Sequence, residues 1–281
     1  MSRSIRLARP LPIFALALCV VATTVGLATA TRLTIASGVY IAPGEAGAAT
    51  SACPAGKEAR QGGFYGDLRP GSAELTGFKM RGRGWRALAT NPGTMKAGLT
   101  VESYCSRAAP HRLIQRSATV TVPARSTAAA VARCRPGETL LSAGFRSSIE
   151  AGGPHVVVDG MRRVGVRNLR VTGANLAARS DGRLTAYAYC GRAKRPLVRT
   201  QTATVPASGK VRLVAKCPEK VRGFGHRPEL FGGFQASSSD PASGSVASPA
   251  QFRSFGDRGV ITAVNRSPGD AIEVTAFAYC R

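Results

Sequence analysis

The sequence predicts an all-β protein built from three tandem copies of one small disulfide-bonded unit. A single pattern of strand, Pro, Cys, Gly-Phe, Asn and Tyr-Cys recurs three times after the first 30 residues. Apolar and polar residues alternate within each copy, which is the period of a β-strand. Gly, Pro and Ser fill the stretches between these segments, where turns belong. We therefore expect three tandem antiparallel β-sandwich domains, each with one disulfide.

The first 30 residues have the composition of a secretory signal peptide. Arg3, Arg6 and Arg9 precede a largely apolar stretch, and the small residues Ala28-Thr29-Ala30 supply a cleavage site. A membrane anchor is the alternative, but proline, threonine and glycine interrupt the apolar stretch. We expect residues 1–30 to be removed on export, which leaves a secreted protein with no integral membrane segment.

The three copies occupy residues 31–105, 106–190 and 191–281. Each opens with a short strand that ends in proline, and polar, basic stretches at 106–116 and 191–201 suit the boundaries between them. Because these linkers are short, one large sandwich or barrel made from all three copies stays open as an alternative.

Two cysteines in each copy predict the disulfide bonds. Export removes Cys19 and leaves six cysteines, an even number that is typical of a disulfide framework. A rival scheme joins Cys105 to Cys134 and Cys190 to Cys217, but it requires a ring closure that a duplicated unit does not need. A metal site is disfavoured because the chain has no Cys-x-x-Cys. The simplest pairing is one bond inside each copy: Cys53–Cys105, Cys134–Cys190 and Cys217–Cys280.

The other recurring residues are explained by the fold. Gly-Phe suits a tight bend with a packed ring, and Asn91, Asn175 and Asn265 suit turns. In the last strand of copy three, Thr275, Phe277 and Tyr279 fall on the face opposite the small residues that accompany Cys280, and the equivalent face of copy one is expected to be at least partly wet. Trp85 lies among arginines, but it aligns with Leu169, and we expect it in the core.

Motifs such as Cys53-Pro54-Ala55-Gly56-Lys57, Gly62-Gly63-Phe64, Trp85, Asn91 and Tyr104-Cys105 resemble a cysteine-framed β repeat of exported actinobacterial and other bacterial proteins. The resemblance covers nearly the whole chain after the leader. Its motifs are structural, and the resemblance implies no activity.

The charge of the chain favours anionic partners. The chain carries 39 basic and 15 acidic side chains, a net charge of +24, and the leader contributes three of the arginines. The copies carry +4, +9 and +8 in chain order. Such a surface attracts acidic envelope polymers, lipid headgroups or extracellular DNA. We expect binding of anionic envelope or extracellular polymers, mainly by copies two and three; the alternative is a solvated arginine-rich surface.

Two arginine clusters are the candidate anion-binding residues: Arg81, Arg83 and Arg86 in copy one, and Arg162, Arg163, Arg167 and Arg170 in copy two. The sequence predicts no catalytic residue, cofactor or metal ligand, because no histidine, carboxylate pair or nucleophile motif recurs. Two alternatives stay open. One is a secreted hydrolase of an envelope polymer, with its site in copy three. The other is an exported inhibitor that presents the six extra residues of copy three, around 224–227, as a disulfide-braced loop.

Overall fold

The computed structural model contains only β-strands as regular elements among the residues that it describes. No helix of this part of the chain is long and apolar enough to cross a membrane. The predicted signal peptide and the extra residues of copy three around 224–227 lie outside the described residues. Those residues are 33–66, 73–107, 113–149, 156–218, 231–237, 246–255 and 258–280.

Each copy supplies six strands, and the three sets correspond in order and character. Copy one contributes β1 (Leu33–Ile41), β2 (Ala46–Ala52), β3 (Lys57–Gly66), β4 (Glu74–Arg81), β5 (Gly84–Thr90) and β6 (Ala97–Arg107). Copy two contributes β7 (Ile114–Val122), β8 (Thr127–Arg133), β9 (Thr139–Ile149), β10 (Val156–Val164), β11 (Asn168–Asn175) and β12 (Gly182–Gly191). Copy three contributes β13 (Leu197–Val205), β14 (Lys210–Lys216), β15 (Gly232–Ala236), β16 (Ala247–Phe255), β17 (Arg258–Asn265) and β18 (Ile272–Cys280).

These strands form three antiparallel sheets, and each sheet combines strands from two copies. Sheet I has the order β1-β6-β3-β16-β17-β14, sheet II the order β2-β5-β4-β9-β12-β7, and sheet III the order β13-β18-β15-β10-β11-β8. The first, third and sixth strands of one copy thus pair with the second, fourth and fifth strands of the copy before it. Copy one completes the ring by pairing with copy three.

The predicted all-β class with one disulfide in each copy is confirmed. The division into copies differs from three self-contained sandwiches, because strand pairing crosses the boundaries at 105/106 and 190/191. Residues 32–281 form one compact unit, with a continuous core shared by all three sheets. The merged architecture that the sequence left open therefore describes the sheets. Each copy contributes three strands to each of two sheets, and these sets of three are called half-sheets below. The copies merge because a copy alone would leave the inner edges of its two half-sheets unpaired.

The three disulfides connect neighbouring sheets. Cys53–Cys105 joins the end of β2 in sheet II to β6 in sheet I, with 5.6 Å between the Cα atoms. The bonds Cys134–Cys190 and Cys217–Cys280 occupy the equivalent places in copies two and three. All six half-cystines are buried. The pairing predicted from the sequence is confirmed, and each bond links the two half-sheets of one copy.

The recurring Gly-Phe lies where two copies meet within a sheet. Phe145 of copy two pairs with Phe78 of copy one, and both rings are buried. The backbones approach so closely that a Cβ added to Gly144 would lie 2.3 Å from the carbonyl oxygen of Phe78. Gly233 and Gly63 meet the same obstacle at the other two junctions, at 2.5 and 2.8 Å. Glycine is therefore required at this position by close approach between copies.

The tyrosine before the last cysteine also serves the junction. Tyr279 stacks on Phe277 of the same face, with 6.4 Å between the ring centres, yet only 1% of it is exposed. Its hydroxyl accepts a hydrogen bond from the backbone N–H of Arg163, at 2.7 Å. Tyr189 accepts the equivalent bond from Met80, also at 2.7 Å. The regular pairing of the two copies stops a few residues earlier, so the hydroxyl satisfies an N–H that would otherwise have no partner.

The recurring asparagine forms the predicted turn and adds a second role. The Asn91 side-chain oxygen accepts from the N–H of Gly93, which defines an Asx-turn. Its amide group donates to the carbonyls of Ile41 and Met95. Asn175 and Asn265 repeat this pattern and are equally buried. The asparagine thus ties the end of the opening strand to the loop that leads into the closing strand.

Candidate anion-binding surface

The outer face of sheet II carries a cluster of four cations from two copies. Lys79 follows the junction residue Phe78 and points outward, directly opposite Arg86 on β5. Arg81 lies on the same face, and Arg146 arrives from copy two through the junction with Gly77. Partial burial and the neighbouring positive charges of Arg146, Arg86 and Arg81 lower the pKa of Lys79. Lys79, Arg81, Arg86 and Arg146 are called the sheet II cluster below.

No carboxylate of the described residues forms an ion pair with the sheet II cluster. The Lys79 ammonium instead lies 5.3 Å from the centre of the Tyr187 ring, a cation–π contact. The Arg86 Nε atom is buried without a hydrogen-bond partner in this part of the chain. Like charges placed directly opposite one another on a sheet are destabilising. An anion bound at this cluster would therefore relieve the repulsion between its charges.

Sheet III repeats the arrangement with arginines. Arg162 follows the junction residue Met161 and lies directly opposite Arg170 on β11. The position that Tyr187 holds in sheet II is taken by Phe277, since each aromatic residue pairs with the junction glycine of its sheet. The Arg162 Nε atom has no hydrogen-bond partner among the described residues. Sheets II and III thus present equivalent basic positions beside an aromatic ring.

Sheet I differs because a carboxylate occupies the equivalent place. Arg253 follows the junction residue Phe252, and Glu102 pairs with the junction glycine Gly63. The Nε atom of Arg253 donates to a Glu102 oxygen at 2.9 Å, and its Nη2 donates to the other oxygen. Burial opposes the charge on Arg253, but hydrogen bonding and attraction to Glu102 outweigh it and raise the pKa of Arg253. Glu102 thus balances the charge of Arg253 at this position.

Four of the seven arginines singled out from the sequence lie in two pairs on the faces of sheets II and III, and the other three lie elsewhere. Arg81 and Arg86 belong to the sheet II cluster, and Arg162 and Arg170 form the opposed pair of sheet III. The remaining three, Arg83, Arg163 and Arg167, have other surroundings.

Arg83 and Arg167 have exposed side chains in the turns that join β4 to β5 and β10 to β11. Their carbonyl oxygens hold the cysteine-bearing turns, accepting from the N–H of Cys53 at 3.3 Å and of Cys134 at 2.9 Å. Charge at these positions is available to solvent, but it is separate from the pairs on the sheet faces.

Arg163 points inward and is 7% exposed. Its guanidinium lies 4.9 Å from the centre of the Tyr279 ring and donates to the carbonyl of Pro196. Burial lowers its pKa. These contacts make Arg163 part of the packing between copies two and three.

Lys79 and Arg146 were not singled out from the sequence, although they complete the sheet II cluster. Lys79 shares strand parity with Arg81, so alternation alone places them on one face. Arg146 belongs to another copy and reaches the cluster only through the junction, which no local pattern indicates. Trp85 is fully buried as expected and stacks on Phe78, with 4.5 Å between the ring centres.

Two further features of the described residues offer little chemistry. The sulfurs of Cys134 and Cys190 lie close to Glu138, but they form a disulfide and are not thiolate ligands. Glu138 is bound by Arg116, a contact that lowers the pKa of the carboxyl. A small pocket lined by described residues has a volume of about 10 Å³, room for one water molecule. Arg266 and Glu74, two of its lining residues, form an ion pair.

Comparison with protein families finds none whose profile matches the chain, and no curated protein is significantly similar to it.

Proposed function

We propose that this protein binds anionic polymers through the outer faces of sheets II and III, in the envelope or surroundings of the cell that exports it. The sheet II cluster supports this proposal best, since it holds four cations without an ion-paired carboxylate among the described residues. Arginine and lysine at such a surface bind carboxylate, phosphate and sulfate groups, with arginine contributing bidentate geometry.

The contacts are individually weak and gain strength from their number. An exposed ion pair contributes about 0.2–1 kcal/mol. A flexible polyanion that spans several cations converts later contacts into intramolecular ones and gains avidity. Because the basic positions combine residues of neighbouring copies, the binding unit is a sheet face. The expected preference for copies two and three becomes a preference for sheets II and III over sheet I.

Retention of the full chain on immobilised heparin, measured over a series of salt concentrations, tests the proposal. The double variant Lys79→Gln, Arg86→Gln should elute at clearly lower salt than the parent protein. The control is the double variant Lys210→Gln, Arg212→Gln, which removes two exposed cations from the edge strand of sheet I. Screening acts over about 8 Å near physiological ionic strength, so retention must fall steeply with salt.

Equal elution of the sheet II variant and its control would show that only total charge matters. Retention that does not depend on salt would contradict the proposal outright. The hydrolase and inhibitor alternatives stay predictions, since the histidines and the extra residues of copy three lie outside the described residues.

A further inference from the structure

The three sheets carry one equivalent position just beyond each junction between copies. Lys79, Arg162 and Arg253 each follow the residue that pairs with the phenylalanine of Gly-Phe. Each points outward, next to the junction glycine of the neighbouring copy. The partner strand places a different residue beside each cation, which is Tyr187, Phe277 or Glu102 respectively.

Glu102 shows what this position accepts. Both of its carboxylate oxygens are bound by the Arg253 guanidinium, and one of them also accepts the hydroxyl hydrogen of Tyr104, at 2.7 Å. The Glu102 side chain is 3% exposed. The Arg253 guanidinium also lies 5.0 Å from the centre of the Tyr65 ring. A carboxylate at this position is therefore held by a guanidinium fork, a hydroxyl and adjacent aromatic surface.

The other two positions keep the cation and lack the carboxylate. Where Glu102 would stand, Tyr187 and Phe277 place half-buried rings. Each cation then faces a second one across the strands, Arg86 or Arg170, where sheet I has the neutral Val260. An added positive charge with no internal carboxylate is the arrangement expected of a site whose anion comes from outside.

We propose that Lys79, Arg162 and Arg253 head three copies of one carboxylate-binding subsite, two of them open to the carboxylates of an acidic polymer and the third filled by Glu102. This inference rests on the proposed function and names its ligand class. The rings of Tyr187 and Phe277 suit a polymer whose carboxylates are carried on apolar-faced units, such as the sugar rings of a polyuronate.

Titration of the ¹⁵N-labelled full chain with trigalacturonate tests the three subsites separately. In the parent protein, backbone amide shifts should move around Lys79 and Arg162 and stay unchanged around Arg253. In Glu102→Gln the residues around Arg253 should respond as well, and affinity for immobilised polygalacturonate should rise by about 1.4- to fivefold, as expected for one added surface ion pair of about 0.2–1 kcal/mol. The double variant Arg162→Gln, Arg170→Gln should lose the response on sheet III alone.

Glu102→Tyr introduces the residue that copy two has at the equivalent position, and it serves as a second variant in case Glu102→Gln does not fold. Thermal unfolding checks that both variants are folded. Responses at Arg253 in the parent protein, or none there in either folded variant, would overturn the inference. So would tighter binding of polyphosphate than of polygalacturonate matched in charge and length. In each of these cases, salt-dependent retention on heparin would leave the proposed function standing, whereas its loss would remove both.

Discussion

Replacing the junction glycine Gly144 with alanine should destabilise the whole protein. The new methyl group would lie 2.3 Å from the Phe78 carbonyl oxygen, whereas ordinary contacts begin at 3.4 Å. The two backbones must therefore separate by about 1.1 Å within a hydrogen-bonded sheet. The obstacle is main-chain, so no side-chain rotation relieves it. Overpacking of this kind costs about 1–3 kcal/mol, and weakened ladder hydrogen bonds add about 1 kcal/mol. We expect a loss of about 3 kcal/mol.

The matched control is Gly98→Ala on β6. A Cβ there would lie 3.7 Å from the nearest atom, a carbon of the Tyr40 ring. Glycine within a strand is about 0.5–1 kcal/mol less favourable than alanine, so this variant should be neutral or slightly stabilised. The other junctions provide a graded series, because the distance increases from Gly144 through Gly233 to Gly63. Gly233→Ala and Gly63→Ala should therefore lose progressively less stability.

Chemical denaturation of the disulfide-intact proteins measures the free energy of unfolding, and unchanged slopes ensure that the comparison concerns stability. The parent protein should unfold in one transition, because all three copies share one core. A Gly144→Ala variant within about 0.5 kcal/mol of Gly98→Ala would refute the close approach between copies. A reversed order in the junction series would refute the geometric cause.

Three further predictions concern the bonds within and between copies. Non-reducing peptide mapping should recover Cys53–Cys105, Cys134–Cys190 and Cys217–Cys280, and reduction should cost about 4 kcal/mol for each bond in the chain-entropy model; a peptide joining Cys105 to Cys134 would contradict the fold. Burial raises the pKa of Tyr279 to about 12 and that of Tyr189 further, whereas an ordinary tyrosine has a pKa of about 10. The free energy of unfolding should therefore fall as the pH rises from about 10 to about 12. Below pH 10 these tyrosines are neutral in the folded and the unfolded protein, so their ionisation does not change stability. Above pH 10 only the unfolded protein releases their protons, which lowers the free energy of unfolding by about 1.4 kcal/mol per pH unit for each tyrosine. Tyr279→Phe should flatten this alkaline slope, and an unchanged slope would contradict it. Copy two alone, residues 106–190, should not fold as a monomer by circular dichroism and sedimentation, since each half-sheet lacks its partner; a stable monomer would show that the copies are self-sufficient.

Local features of the fold could be predicted from the sequence because their causes are local. Alternation predicts strands, Cys280 shares a face with the small apolar residues Ala276 and Ala278 of its strand, and Asn91 lies where an Asx-turn is needed. The sheet order could not be predicted, because no local pattern of the sequence indicates whether the strands of one copy pair among themselves or with those of a neighbouring copy. The burial of Tyr279 follows from that same order. Its hydrogen bond goes to a backbone N–H of copy two, 116 residues away.

The candidate site shows the same division between local and long-range causes. Arg162 and Arg170 were found as a cluster because a hairpin of one copy brings them together. The sheet II cluster required Arg146 from the next copy, and the contrast with sheet I required comparing residues 151 positions apart, Glu102 and Arg253. The difference between the Arg253 position and the Lys79 and Arg162 positions therefore depends on the pairing between copies, which the sequence alone does not indicate.

The closed ring also explains how equal copies acquire unequal surfaces. The buried residues at each junction are constrained by close backbone approach, as at Gly144 and Phe145, and they vary little among the copies. The outward residue beside each junction meets no such constraint, so Glu102, Tyr187 and Phe277 occupy one position without disturbing the sheets. A single substitution of Glu102 there would remove the carboxylate that pairs with Arg253. Stability is therefore determined by the inner residues of the repeat, whereas the proposed binding depends on its outer ones.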